Sequence, residues 1–337
     1  MTCNGSAAIG RFGRCGGMTL IELMVALAIG LFLMIGAITI LLQGRTTFRV
    51  SETIARLQEN ARFALDVMEP DIRMAHYWGL TTRANRIQGR ARQDETASAL
   101  GPHTCGTNWH LDVELAVEGT NGTYEWACDP EEGDAVENAD TLVIRRASQN
   151  PVAPAAGWLH LQSARVQDST IFAGATVPSG YIPATSQTHR LVVNGYYVST
   201  GSSLGDDVPS LRRKTLGTDG AAPAIVDEEI LPGVEDMQIQ FGVDTDEAGE
   251  VNRGVIDRYV NPDDPILDRS SPATYLEDAE ILAVRIWLRI RAERPEVGYT
   301  DTATYSYAGR VAGPFNDGFR RVVVSKTIYL RNARPPI

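Results

Sequence analysis

The sequence predicts an α+β protein, in which one long N-terminal helix packs on an antiparallel, β-rich globular head. An uncharged apolar run covers residues 23–42, and amphipathic spacing continues after it to residue 79. Beyond residue 140, β-rich segments alternate with loops that contain Gly, Pro and Asp, and no second amphipathic helix follows. The helix therefore comes first in the chain, and the sheet follows.

The apolar run is long enough to cross a membrane. About 20 residues at a rise of 1.5 Å cover the hydrocarbon core of a bilayer, and Leu23, Leu27, Leu31 and Leu42 belong to this predicted anchor. Glu22 lies at its edge, where an ionised carboxylate is costly without a partner. An ordinary signal anchor with an interfacial glutamate is the alternative interpretation.

The amphipathic segment that follows predicts a continuation of the same helix, with one face lying on the head. Its apolar positions recur at steps of three and four residues, and a glycine at residue 79 is a usual stop signal. The predicted organisation is a leader (1–17), a membrane half of the helix (18–43), an amphipathic half (44–79) and a head (80–337) that begins with a loop-rich excursion (80–137). Strands are predicted at residues 141–146, 191–198, 210–214, 237–243, 284–291 and 321–330.

Net charge and cysteine positions restrict the function. A formal net charge of −11 argues against nucleic-acid binding, which needs clustered Lys and Arg. Arg11 and Arg14 favour a cytoplasmic leader and an exported head. Cys105 and Cys128 would then lie where disulfides persist, and we expect them to pair. Two unpaired buried thiols are the alternative.

The junction between leader and helix carries a recognisable motif. The apolar segment follows the Gly16–Gly17 doublet, whereas a secretory signal would place it before the cleavage point. Residues 17–22, GMTLIE, resemble the prepilin-peptidase site of type IV pilins and type II secretion pseudopilins. The resemblance implies cleavage after Gly17, N-methylation of Met18 where most members have Phe, and a carboxylate at the fifth mature position, Glu22, that pairs with a neighbouring subunit's amino terminus.

Four further stretches (57–65, 71–79, 231–238 and 331–334) resemble the minor pilin family PilW. The resemblance implies a non-enzymatic subunit of type IV pilus assembly, in a tip or priming complex. It implies as partners other minor pilins, the major pilin, prepilin peptidase, the inner-membrane assembly platform and a tip adhesin. It also implies a single-pass inner-membrane protein with its head outside the cytoplasm, which moves to the pilus and cell surface on assembly.

Three alternatives stay open at this point. The first is a type II secretion pseudopilin of the J type. The second is a membrane-anchored hydrolase, because residues 201–205 match the G-x-S-x-G motif around Ser203; that motif needs a strand before it and a helix after it. The third is a tip adhesin that acts through residues 80–190.

No cofactor is expected, with one candidate cation site as the exception. Asp244, Asp246, Glu250 and Asp257 could offer oxygen ligands to Ca²⁺ on a tight loop that has Gly249 at its sixth position. Residues 248 and 255 break the EF-hand pattern, so a solvated acidic turn is the favoured interpretation.

Overall fold

A computed structural model describes residues 17–91, 100–101, 104–106, 109–247 and 249–333. The chain divides into two compact units, Met1–Thr53 and Ile54–Ile337. The predicted leader, except Gly17, lies outside the described residues. The described part of the first unit, residues 17–53, consists of a short start and the beginning of helix α1 (Leu20–Arg73), which is continuous into the second unit.

Helix α1 ends at Arg73 and not at the predicted Gly79. Three turn residues follow, of which His76 has a φ of 64°, a left-handed conformation that the helix cannot continue through. The end of the chain satisfies carbonyls at this terminus. The N–H of Arg331 donates to the Arg73 carbonyl at 3.0 Å, and the Asn332 amide donates to the Ala75 carbonyl at 3.3 Å.

The second unit contains fourteen described strands. They are β1 (Ile87–Gln88), β2 (Val117–Thr120), β3 (Thr141–Ala147), β4 (Leu159–Ala164), β5 (Ser169–Ala173), β6 (Ser186–Ser199), β7 (Ser210–Thr218), β8 (Pro223–Pro232), β9 (Val234–Asp244), β10 (Arg258–Val260), β11 (Glu280–Arg291), β12 (Tyr305–Tyr307), β13 (Arg310–Ala312) and β14 (Arg321–Tyr329). A short 3₁₀ turn, Ala84–Arg86, precedes β1.

These strands form two larger sheets and one hairpin. The first sheet has the order β1-β5-β4-β6-β3-β2, with β7 paired to β6 and β8 paired to β7. Strand β6 joins this sheet together, because it pairs β4 through residues 186–190, β3 through 191–196 and β7 through 194–199. The second sheet has the order β10-β9-β11-β14, and β12 and β13 form a separate hairpin.

Alternation along β3 divides the core into two clusters. Leu142 and Ile144 belong to the cluster that also holds the apolar face of α1 and the inner face of the second sheet. Val143 belongs to a second cluster, together with Leu111 and Leu161. Successive strand residues point to opposite faces, so β3 is buried on both sides.

The α+β prediction is confirmed, and all the predicted strands are present. The missed strands had weak signals: β4 contains the polar residues His160, Gln162 and Ser163, and β8 has a proline at each end and three acids inside. One short strand pair is an exception to the antiparallel arrangement. β1 and β5 pair in parallel over two residues, whereas the other strand pairs described are antiparallel.

Candidate functional site

The beginning of α1 is a reciprocal capping motif. The Glu22 carboxylate accepts hydrogen bonds from the Thr19 N–H and hydroxyl, both at 3.1 Å, and the Thr19 hydroxyl accepts one from the Glu22 N–H at 3.3 Å. This is the capping box, in which two otherwise unpaired donors at a helix start are satisfied. Gly17 and Met18 come just before it and are exposed. Glu22 therefore has a local role in addition to the predicted role between subunits.

The apolar part of α1 within the first unit is exposed along its whole length. Leu23, Leu27, Leu31 and Leu42 are each about half or more exposed. By length and composition α1 is the one described helix that could cross a membrane. Exposed apolar surface of this extent is typical of a segment covered by lipid or by other helices.

A buried carboxylate fixes the last part of α1 to the first sheet. Asp71 is 5% exposed and lies on the apolar stripe of the helix. One of its oxygens accepts from the Arg146 guanidinium, with Nε at 3.1 Å; the other accepts from the Asn194 amide at 2.5 Å and the Tyr196 hydroxyl at 2.6 Å. Burial, followed by the Asp71 charge, raises the pKa of Tyr196 well above its usual range, so Tyr196 is a permanent donor. We call these four residues the Asp71 cluster.

A second contact fixes α1 to the second sheet. The Lys326 ammonium pairs with Glu69, at 2.5 Å, and with Asp66, at 3.4 Å. These groups are partly exposed, so the pair contributes less than about 1 kcal/mol. Neither Asp71 nor Lys326 is among the residues predicted from the sequence, although an acid on an apolar helical stripe is a detectable signal.

Cys105 and Cys128 form a disulfide, as the sequence predicts. The closed segment carries Trp109 and Trp126, and the Trp126 ring packs edge-on against Tyr197 of β6. The Trp126 side of this closed segment is therefore packed on the first sheet.

The outer face of β11 and β14 carries a buried charge network that was not predicted from the sequence. Arg321, whose side chain is 2% exposed, pairs with Glu235, Asp301 and Asp317 at 2.7–2.9 Å. The Phe315 ring lies 4.0 Å from its guanidinium. The segment between β11 and β14 therefore covers a strand face that, from the alternation of apolar and polar residues, would be expected to face solvent.

The G-x-S-x-G match does not have the geometry of a hydrolase elbow. Ser202 and Gly205 form a tight turn. Residues 206–209, all of which the structure describes, contain no helix and lead directly into β7 at Ser210. The Ser203 hydroxyl donates to the Glu229 carboxylate at 2.9 Å, and its N–H donates to the other oxygen at 2.8 Å. These bonds are typical of a hairpin loop held in place by a neighbouring strand.

Three of the four calcium candidates come together. Oxygens of Asp244, Asp246 and Asp257 lie within 4.8 Å of one another, and Glu250 is not in this group. Asp244 accepts the Asp246 N–H, and Asp257 accepts the N–H and hydroxyl of Thr245. Burial and the neighbouring acids raise the pKa of Asp246. The backbone bonds account for the shape of this acidic turn, and calcium binding stays a prediction.

Comparison with known proteins gives two family matches. The family described as type IV pilus-assembly protein W, PilW, matches residues 195–332. The prokaryotic N-terminal methylation motif matches residues 13–38. Among solved structures, a type IV-like pilin from Thermus thermophilus aligns at 14% identity and a TM-score of 0.34, covering 83% of this chain and 100% of that one. No curated protein matches.

A methylation motif at the start of an apolar helix, followed by a β-rich head, defines the class of type IV pilin-like proteins. Within that class, the PilW match over residues 195–332 and the methylation motif support a minor pilin role in type IV pilus assembly. Its family and fold are those of a structural assembly protein. The apolar helix and the methylation motif indicate membrane anchoring and association with the pilus.

Proposed function

We propose that this minor pilin acts in a tip or priming complex with other minor pilins, and not as a repeated filament subunit. The size of the second unit, Ile54–Ile337, supports the proposal. A helical lattice must accommodate the head at every step, and a large head is easier to place at an end. The major pilin, the inner-membrane assembly platform and a tip adhesin are the other proposed partners.

Processing and membrane orientation form the second part of the proposal. Prepilin peptidase cleaves after Gly17 at the cytoplasmic face of the inner membrane, and Met18 becomes the N-methylated amino terminus. The head then stands outside the cytoplasm. The methylation motif at residues 13–38, which contains this junction, is the observation that carries this part. The function requires no catalysis by the chain and no cofactor.

The apolar helix has two successive environments in this proposal. Residues 23–42 anchor the chain in the bilayer first and then pack among other apolar helices in the filament core. Glu22 pairs with the charged amino terminus of a neighbouring subunit, which sets the register of the helix within the bundle. The capping box places its carboxylate within the first turn of the helix, close to Met18 in sequence.

The N-terminal mass of the protein from its host tests the processing step. We expect a mature chain that begins at methylated Met18, and a Gly17→Val chain that retains residues 1–17 in the membrane. Gly16→Ala is the matched control and should be cleaved normally. A wild-type chain that keeps its first 17 residues, or a Gly17→Val chain of mature mass, would refute the cleavage assignment.

Labelling of intact pili tests the position. We expect gold-labelled antibody against the head to mark filament ends or the cell envelope, and deletion of the gene to abolish piliation. Regular labelling along the filament length would contradict the tip or priming role.

A further inference from the structure

The second sheet ends in a long strand that has one free side. Strand β14 pairs with β11 over all nine of its residues in unbroken register, and no described strand pairs with its other side. It contains the β-branched run Val322, Val323 and Val324, which favours an extended backbone. We call the side of β14 that faces away from β11 the open edge.

The register shows which backbone groups lie on the open edge. The N–H of Leu330 donates to the Leu282 carbonyl at 2.9 Å, and the N–H of Ala292 donates to the Arg320 carbonyl at 2.8 Å. Alternate residues of an antiparallel ladder bond to the same neighbour, so the even-numbered residues of β14 bond to β11. The N–H and C=O groups of the odd-numbered residues from 323 to 329 therefore point away from β11. None of these groups has a hydrogen-bond partner among the described residues.

Four other described strands lie at the edges of the two larger sheets, and each is protected against pairing. Strands β1, β2 and β10 have only two, four and three residues. Strand β8 has ten residues, but it has a proline at each end, three acids and an irregular register with β7. Short strands, prolines, charges and bulges are the usual means of preventing unwanted strand pairing.

The open edge of β14 lacks these protections. The strand contains no proline and no acid, and its register with β11 has no shift. Both of its cations are used within the head, because Arg321 pairs with buried acids and Lys326 pairs with Glu69 and Asp66 of α1. A long, regular and unguarded edge is a surface on which another strand can be added.

The open edge continues the surface of α1. Ile328 is buried in the core that holds the apolar face of α1, and Lys326 contacts the same helix, so the even-numbered side chains of β14 face the helix. An added strand would therefore lie beside α1, the helix whose upstream apolar turns are exposed for contact with other subunits. Shared use of α1 makes the open edge continuous with that contact surface.

Charge defines the two faces of the added strand. The odd-numbered side chains of β14 next to the open edge are uncharged, and Ser325 and Tyr329 are exposed among them. On the helix side, the Asp66 carboxylate is 58% exposed and has only Lys326, at 3.4 Å, as a described ion-pair partner. The complementary strand therefore has uncharged residues on its outer face and a basic residue on the face toward α1.

A second copy of this chain does not meet the geometry. Antiparallel pairing of two β14 strands needs a two-fold axis perpendicular to the sheet, which would reverse the direction of one α1, and helices in one membrane bundle run the same way. Parallel pairing of two β14 strands would place the two helices on opposite faces of the joined sheet. The other edge strand of this sheet, β10, has three residues and cannot cover nine.

We infer that the open edge of β14 receives an edge strand from the head of a different minor pilin, which extends the second sheet beside α1. The inference rests on the proposed tip or priming complex, in which the apolar helices of several minor pilins lie side by side. Backbone hydrogen bonds supply affinity, and the alternating side chains supply specificity. One strand is small beside the roughly 1,600 Å² of a standard interface, so this contact adds to helix packing.

Amide hydrogen exchange of the full chain tests the inference. The chain is co-expressed with each of the other minor pilins of its host, and the complexes are extracted in detergent. Exchange is followed by mass spectrometry with residue-resolved fragmentation. In one such complex we expect the odd-numbered amides from 323 to 329 to exchange at least about tenfold more slowly than in the chain alone. The amides of β8 should keep their rates.

A matched pair of variants separates backbone pairing from side-chain contact. Ser325→Pro removes an N–H of the open edge and leaves the ladder with β11 complete, because the Ser325 N–H points away from β11. It should weaken the complex by about tenfold. Ser325→Ala removes the hydroxyl but keeps the N–H, and it should leave the complex unchanged. Unaltered denaturant unfolding of the isolated Ser325→Pro chain is the control for folding.

Three results would overturn the inference. They are a complex in which the odd-numbered amides of β14 exchange as fast as in the chain alone, equal yields of complex from Ser325→Pro and Ser325→Ala, and protection that appears when the chain alone is concentrated, which would make the occupant a second copy. The wild-type exchange pattern keeps the test valid if Ser325→Pro does not fold. A complex that forms while β14 stays unprotected would contradict strand addition and leave the priming role standing, whereas absence of any complex would contradict both.

Discussion

The Asp71 cluster should control the stability of the head. Asp71→Asn preserves the size of the side chain but removes the charge that faces Arg146, whose side chain is 16% exposed. The new amide N–H groups would also face the Asn194 amide and the Tyr196 hydroxyl, which are themselves donors to this position. Both effects act on the contact between α1 and the first sheet.

The structure gives the size of the effect. Removing one partner of a buried ion pair costs about 3–5 kcal/mol, and the partial exposure of Arg146 places the loss at the lower end. We therefore expect Asp71→Asn to lower the free energy of unfolding by about 3 kcal/mol. Tyr196→Phe, which removes one hydrogen bond to a charged acceptor, should cost about 1.5–3 kcal/mol. The two losses should not add, because both variants act on the same carboxylate.

Denaturant unfolding of the full chain in detergent, followed by tryptophan fluorescence, measures these values. Buried Trp78 lies just after α1 and reports on this region. Glu59→Gln is the matched control, because it removes an exposed acid from the same helix and should cost less than about 0.5 kcal/mol. If Asp71→Asn costs no more than Glu59→Gln, the Asp71 cluster does not hold the helix on the head.

Three further predictions concern the head. Burial lowers the pKa of His76 to about 4 from 6.5, so stability present above pH 6.5 should be lost as pH falls toward 4, by at most about 3 kcal/mol. The His76→Asn variant, whose side chain tolerates the left-handed backbone, should flatten this pH profile, and an unchanged profile would contradict the assignment. The double variant Cys105→Ser, Cys128→Ser should have a free energy of unfolding lower by about 3 kcal/mol. Its denaturant midpoint should be lower than that of the wild type, and reductant should not lower it further. A midpoint equal to that of the oxidised wild type would argue against a stabilising disulfide. Arg321→Met should lower the free energy of unfolding by about 3–5 kcal/mol, because three carboxylates lose their cation. An unchanged free energy of unfolding in denaturant would show that the segment between β11 and β14 does not depend on these ion pairs.

The long helix and the central strands could be predicted because their signals are local. An uncharged run of bilayer length and a three–four periodicity need no tertiary information, and the alternation in β11 is equally direct. The helix end could not be placed from residues 70–79 alone. It depends on the left-handed His76 and on donors from Arg331 and Asn332, far away in sequence.

The buried charges could be predicted only in part. Asp71 was visible as an acid on an apolar stripe, but its partners lie on two strands that only the fold brings together. From the sequence, Arg321 would be interpreted as a surface charge on an edge strand. In the structure, the segment before it covers this face of the sheet and buries its side chain. The placement of Trp109 and Trp126 depends on loop geometry that the disulfide and Arg145 set, and neither strand nor helix periodicity contains that information.

Incorporation of Glu22 variants into filaments tests the central claim most directly. Glu22→Gln keeps the capping box, in which glutamine serves as well as glutamate, but removes the charge; Thr19→Ala weakens the cap but keeps the charge. With all variants confirmed as cleaved and membrane-bound, we expect Glu22→Gln and Glu22→Ala to enter filaments at least about tenfold less than wild type, since each leaves a neighbour's amino terminus buried without its partner. Thr19→Ala should assemble nearly as wild type. Normal incorporation of Glu22→Gln, with loss in Thr19→Ala, would show that Glu22 only caps its own helix and would contradict pairing between subunits.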